Sequence, residues 1–205
     1  MKYEVIDNFL DEEYFNSLVT LFTDKDKKGN FNMPWFFQDD YGISMTEELP
    51  YDQEKYPYPF FMIHHFYNNH VPKNHFFNNI IPLLDSLGRH NGVNPPRVGS
   101  GYGTTDGVCL IRAKGNLYPN TKILHEHPMH GDLPFPHSAA ILSLNTCDGY
   151  TKLKDGTKID SVANRILLFD ASNEHCSTTT TNVSARININ INYIIEGGIR
   201  KNKEQ

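Results

Sequence analysis

The 205-residue sequence predicts an α+β protein whose second half is a jelly roll. Three observations carry that expectation. Two segments in the first 90 residues repeat apolar side chains at helical spacing. From Val108 onward the apolar residues fall into short runs separated by turn residues, the pattern of strands. Residues 186–195 then read as a strand that alternates strictly as far as Tyr193. Ile187, Ile189, Ile191 and Tyr193 share one face, and Arg186, Asn188, Asn190 and Asn192 the other.

Taken in order, residues 6–22 read as a short strand running into a helix. Asp11 supplies its cap, Glu12 and Glu13 stand in its first turn, and Tyr14, Phe15, Leu18, Val19 and Phe22 recur at helical spacing. Residues 23–33 are polar and turn-rich, hence a loop. The aromatic run Pro34-Trp35-Phe36-Phe37 is expected to be a strand packed on the core. Residues 38–58 mix acids, prolines and tyrosines without a period, which suggests a long surface loop or lid. An apolar, aromatic stretch follows over 60–67. A second helix is expected over 74–87, ending at Gly88 and either kinked by Pro82 or starting late because of it. Strands are expected at 108–113 and 139–144. Segments 151–153 and 158–162 flank the Asp155-Gly156 turn as a hairpin, and strands at 165–169 and 186–195 complete the set.

Composition narrows the partners. Formal net charge is -5, and the densest basic cluster, Lys25, Lys27 and Lys28, is interleaved with Asp24 and Asp26. Nothing here favours nucleic acid or an anionic membrane. The N-terminus lacks the apolar run of a signal peptide, and no stretch has the length of a membrane span. Cys109, Cys147 and Cys176 are too few, and odd in number, for a disulfide framework. They read as reduced thiols and a cytoplasmic location. The expected organisation is a single domain over 1–205, with a helical and loop part over 1–106 and the jelly-roll core over 107–196. A small molecule or a peptide is the expected partner, and the sequence sets no oligomeric state.

The polar face of the last strand invites a functional reading. Asn has poor β-propensity, so three in alternation with an Arg suggest a polar cavity inside a barrel or sandwich rather than a row facing water. Upstream, His130-Gly131-Asp132 is the one His-x-acid triplet among ten histidines. Alone it is weak, since a loop histidine near an aspartate looks the same. Its context is stronger. A strand and a hairpin follow, His175 stands after Phe169-Asp170-Ala171-Ser172, and Arg186 comes eleven residues later at the head of a strand. Two imidazoles and a carboxylate suit Fe(II) with positions left open, and a guanidinium at that spacing suits the carboxylate of an organic acid beside the metal.

That order of residues resembles the Fe(II)/2-oxoglutarate-dependent dioxygenases, in particular the prolyl-4-hydroxylase-like group. Ser143-Leu144-Asn145 with Asp148-Gly149-Tyr150-Thr151 is similar to the strand and turn after their first ligands. Asn164-Arg165-Ile166-Leu167-Leu168-Phe169 is similar to the segment before their distal histidine. Ile6-Asp7-Asn8-Phe9-Leu10 is similar to their opening strand. The likeness is good over 107–195 and generic before that. It implies a double-stranded β-helix core with N-terminal helices on one sheet. It implies His130, Asp132 and His175 as Fe(II) ligands and catalytic centre, Arg186 as the partner of the distal 2-oxoglutarate carboxylate, and O₂ as oxidant. The reaction implied is hydroxylation of a C–H bond, of a prolyl residue or an amino acid, with release of succinate and CO₂. Because Asp132 is a carboxylate, hydroxylation fits better than the halogenation of relatives that carry a small residue there.

Departures and bystanders complete the reading. Where several prolyl hydroxylases carry a tyrosine touching 2-oxoglutarate, this chain has Ser143. Tyr118 either supplies a hydroxyl in its place or is a core tyrosine. Asn188 either makes a second hydrogen bond to the cofactor or is a structural amide, and Asn190 lies deeper on the same wall. His125, His127 and His137 read as loop residues or supports of the ligands, and His64, His65, His70 and His75 as packing or surface residues. Cys176 reads as a small core residue. Two rivals remain: a non-catalytic jelly-roll binding module, and a cupin-type metalloenzyme independent of 2-oxoglutarate. Neither requires a guanidinium at the position of Arg186.

Overall fold

The computed structural model describes residues 2–39, 60–92, 104–105 and 108–195. The expected lid over 38–58 therefore lies outside the described residues, apart from Gln38 and Asp39. Twelve strands and two helices are described, so the molecule is mostly antiparallel sheet, and its helices are a minority covering one face.

The larger sheet has nine strands. Its path runs through β1 (Tyr3–Ile6), β10 (Ile166–Asp170), β7 (Ser138–Ser143), β12 (Ala185–Ile195), β6 (Val108–Pro119), β3 (Phe60–Asn68) and β2 (Phe36–Asp39). The short strands β4 (Val71–Pro72) and β5 (Thr104–Thr105) hang on β3 and β6. A second sheet joins β11 (His175–Ser177), β8 (Tyr150–Leu153) and β9 (Lys158–Asp160). Strands from before and after residue 106 thus share one sheet.

Helix α1 (Glu12–Thr23) begins where Asp11 accepts a hydrogen bond from the Tyr14 amide at 2.9 Å. It buries Phe15, Leu18 and Phe22. Helix α2 (Phe77–His90) buries Ile80, Leu83, Leu84 and Leu87. These side chains pack on the apolar face of the large sheet, which includes the Ile187, Ile189, Ile191 and Tyr193 row. A smaller cluster, with Ile141, Leu153, Ile159 and Phe169, fills the space between the two sheets. Burial on both sides explains why β12 carries no exposed face, and why its polar row has to be satisfied inside the molecule.

Three sequence expectations are corrected. The second helix starts at Phe77 with Pro82 inside it and runs past Gly88, which is buried, to His90. The left-handed residue that ends it is Gly92, with φ 75°, so the glycine stop operates four residues later than expected. Phe36 and Phe37 are not core residues; they are 58% and 59% exposed on the edge strand β2, and Trp35 is the half-buried member that packs on the core. Strand β6 does not end at residue 113 but continues to Pro119, because its whole length pairs with β12.

Candidate metal centre

The register between β12 and β6 builds the wall of the site. Arg186 faces Tyr118, Asn188 faces Asn116, Asn190 faces Lys114 and Asn192 faces Arg112. On the other side of β12, Asn188 pairs with Ser143 and Asn190 with Ile141. Paired residues in antiparallel strands share a face, so these side chains form polar rows across one surface. Phe61, Lys114, Asn116, Tyr118, Asn188 and Asn190 line the resulting pocket together with His130, Asp132 and His175.

The triad is assembled by main chain. His130 and His175 face each other as a two-residue antiparallel bridge, each amide donating to the other's carbonyl at 2.9 Å. The Asp132 amide donates to the Ala171 carbonyl at 2.9 Å. One ligand-type atom from each of the three side chains lies within 4.8 Å of the others. Both rings are oriented from behind. Nδ1 of His130 lies 3.0 Å from the Pro128 carbonyl, and Nδ1 of His175 lies 3.0 Å from that of Asn173. With Nδ1–H as donor, each Nε2 keeps its lone pair for a metal. Burial pulls His175 below the ordinary histidine range, against the pull of Asp132, so it is neutral and ready to ligate. Burial pushes Asp132 up, but Arg112, His175, Lys114 and the Asn192 amide outweigh it and hold the carboxyl well below the usual range. Two imidazoles and an ionised carboxylate form the donor set that suits Fe(II).

Arg186 is 1% exposed on the same face of β12, two residues before Asn188 of the pocket wall. Nη2 donates to Thr151 Oγ1 at 2.9 Å, and Nη1 lies 3.5 Å from the Thr178 carbonyl. Its guanidinium carbon sits 5.4 Å from the centre of the Tyr118 ring. Gly149 makes room for it, since a Cβ there would lie 2.7 Å from Arg186 Cδ and 2.7 Å from the Thr179 carbonyl. Among the described residues no carboxylate pairs with this cation, and Nε has no hydrogen-bond partner. A buried, uncompensated guanidinium calls for an anion.

No protein-family model matches the sequence, and no curated protein matches it. Solved structures do. An oxidoreductase of the 2OG-Fe(II) oxygenase family from Burkholderia pseudomallei has a TM-score of 0.59 at 10% identity, covering 94% of this chain and 84% of that one. The fold is that of the 2-oxoglutarate–Fe(II) oxygenases. A prolyl hydroxylase from Trichoplax adhaerens, in complex with a hypoxia inducible factor peptide fragment, has a TM-score of 0.58 at 17% identity, covering 95% of this chain and 84% of that one. HygX from Streptomyces hygroscopicus, with nickel and 2-oxoglutarate bound, has a TM-score of 0.55 at 10% identity, covering 95% and 83%.

Within this oxygenase fold, the residues singled out from sequence come together. His130, Asp132 and His175 converge, and Arg186, Tyr118 and Asn188 stand on the adjoining wall. Tyr118 is buried and stacks on Phe61 at 5.1 Å. Asn188 accepts from Asn116 Nδ2 at 2.9 Å, while its own Nδ2 is buried without a partner. Nε of Arg186 and Nδ2 of Asn188 are thus two open donors on one strand face. Two open donors beside a buried cation fit the carboxylate of an organic acid.

Of the bystanders, His127 lies in the pocket wall, edge-on to Tyr118 at 5.1 Å, and is not part of the triad. His125 lies beside the Thr179 segment and His137 bonds the Phe135 carbonyl, and neither belongs to the group of ligand-type atoms formed by the triad. Arg112 and Lys114 escaped the sequence reading. The signal was the alternation Arg112, Lys114, Asn116, Tyr118, which mirrors the row on β12.

Proposed function

We propose that the chain is an Fe(II)- and 2-oxoglutarate-dependent oxygenase that hydroxylates a C–H bond. The observation that carries this reading is the buried Arg186, without a carboxylate partner among the described residues, on the same face of β12 as Asn188 and Asn190, which line the pocket with His130, Asp132 and His175. His130 Nε2, His175 Nε2 and Asp132 hold the metal. Arg186 and Asn188 Nδ2 receive the far carboxylate of 2-oxoglutarate, with Tyr118 beneath the guanidinium. Bound there, Fe(II), 2-oxoglutarate and O₂ supply oxidative decarboxylation to succinate and CO₂, coupled to hydroxylation. The protein contributes orientation and dryness. Phe61 and Ile141 close the pocket beside the polar rows, and the carbonyls of Pro128 and Asn173 keep both imidazoles turned inward.

The two sheets are read as the two halves of a jelly roll, within a single domain over 1–205. The proposed substrate is a prolyl residue in a peptide or an amino acid. Three free cysteines, two of them buried, suit a reducing, cytoplasmic setting. A binding module or a cupin enzyme that ignores 2-oxoglutarate gives no reason to bury Arg186 without a counter-ion. The test is turnover of 2-oxoglutarate carrying a labelled C1 carboxylate. Labelled CO₂ and succinate should form only with Fe(II) and O₂, and His175→Ala should form neither. Screening peptides and free amino acids by mass for the gain of one oxygen then finds the substrate. Absence of Fe(II)-dependent succinate across that whole panel contradicts the assignment.

A further inference from the structure

Asp132 is bound by more than a metal site requires. Its side chain is 4% exposed, and Arg112 Nη2 donates to Oδ1 at 2.6 Å. Arg112 Nε donates to Asn192 Oδ1 at 2.9 Å, and Asn192 Nδ2 donates to Asp132 Oδ2 at 2.8 Å. These three bonds close a triangle that fixes the plane of the carboxylate. Oδ2 is the oxygen that faces His175, 3.8 Å from its Nε2. A β-bulge adjoins the triangle. Between Leu110 and Arg112 strand β6 spends two residues against one step, Tyr193 to Asn192, of β12. Bulges re-aim side chains next to functional sites, and this one lies beside Arg112.

We infer that Arg112 is a positioning residue, the internal counter-ion of Asp132, which restricts this carboxylate to metal ligation through Oδ2 alone. The inference rests on the metal-ligand reading of the triad. A buried carboxylate needs a partner when no metal is bound, and the guanidinium supplies it. Ligation through both oxygens would make Oδ1 share its lone pairs between the metal and Arg112, weakening the shortest ion pair of the site. One-oxygen ligation leaves three of six positions on an octahedral ion for other ligands, where two-oxygen ligation leaves two. Arg112 also opposes the incoming ion, because it places a positive charge beside a divalent cation. Removing it therefore strengthens metal binding while loosening its geometry. For charges about 6 Å apart, even at the dielectric of water, the gain is about tenfold.

The test uses Mn(II) with the whole chain and needs no substrate. Pulsed EPR in ¹⁷O-labelled water should count three water ligands on wild-type Mn(II) and two on Arg112→Gln. Arg112→Gln should also melt lower than wild type without metal and bind Mn(II) about tenfold more tightly, while Arg112→Lys restores both wild-type values. A wild type with two waters overturns the inference without recourse to any variant. So does an Arg112→Gln protein with three waters and unchanged Mn(II) affinity. A wild type that binds no Mn(II) removes the metal-ligand reading and this inference with it.

Discussion

Replacing Arg186 by methionine should make the protein more stable without ligand and unable to respond to 2-oxoglutarate. The side chain is 1% exposed, has no carboxylate partner among the described residues, and leaves Nε unbonded. Replacing a buried charge by an apolar chain of similar volume is neutral or stabilising by about 1–4 kcal/mol, and each kcal/mol raises Tm by about 2–4 °C in a protein of this size. The ligand response moves the other way. With Mn(II) bound and 2-oxoglutarate at a hundred times its Kd, wild type should gain about 2.7 kcal/mol, or about 5–11 °C. Losing the charged hydrogen bonds costs about 1.5–3 kcal/mol, roughly ten- to a hundredfold in affinity. At the same ligand concentration, a hundredfold loss leaves about 0.4 kcal/mol of the gain, a shift of about 1 °C. Arg186→Lys keeps charge without the fork and should retain roughly half the shift. Differential scanning fluorimetry reads all three proteins, each with Mn(II) alone as control. A full 2-oxoglutarate shift in Arg186→Met refutes the assignment of this residue.

Three further outcomes follow from the same geometry. His130→Ala, Asp132→Ala and His175→Ala should each lose Mn(II) binding in a calorimetric titration, whereas His125→Ala and His127→Ala should keep most of it; tight binding by a triad variant rules out that ligand. Gly149→Ala should lose about 1–3 kcal/mol of stability by overpacking and weaken 2-oxoglutarate binding, because the added Cβ meets Arg186 Cδ and the Thr179 carbonyl; an unchanged Kd contradicts the cradle. His65 has its pKa pulled down to about 4, first by burial and then by Lys114, Arg112, His64 and Lys73. Its folded pKa lies below the unfolded value, so its contribution is fully present above about pH 6.5 and is lost as pH falls toward 4. Solvent screening of this half-buried ring keeps the loss below what the full shift would give, and urea melts of His65→Leu should lack that part of the slope.

The sequence exposed this site unevenly, for physical reasons. The row Arg186, Asn188, Asn190, Asn192 was legible because period 2 on a strand is a local signal, and both faces proved buried. Its partner row on β6 carries the same alternation, but Gly115 and Asn116 look like turn residues, and only pairing with β12 keeps that stretch extended. His130 and His175 could be named from context, yet their bridge depends on β11, a three-residue strand too short to show any period. Arg112 had that alternation as its one local mark, and nothing in it pointed to Asp132, twenty positions away, or to the bulge that sets its role. Phe36 and Phe37 misled because aromatic character suggests a core, whereas β2 is the edge of its sheet. Gly88 misled because a glycine ends a helix only where the chain turns left-handed, and that happens at Gly92.

The central claim is that one pocket holds a metal on His130, Asp132 and His175 and a 2-oxoglutarate carboxylate on Arg186. A crystal structure with Mn(II) and 2-oxoglutarate, grown without O₂, tests it most directly. It should show Mn(II) on His130 Nε2, His175 Nε2 and Asp132 Oδ2, with the distal carboxylate on the Arg186 guanidinium. Mn(II) bound to other side chains, or a 2-oxoglutarate carboxylate that leaves Arg186 without an anion, would contradict the account.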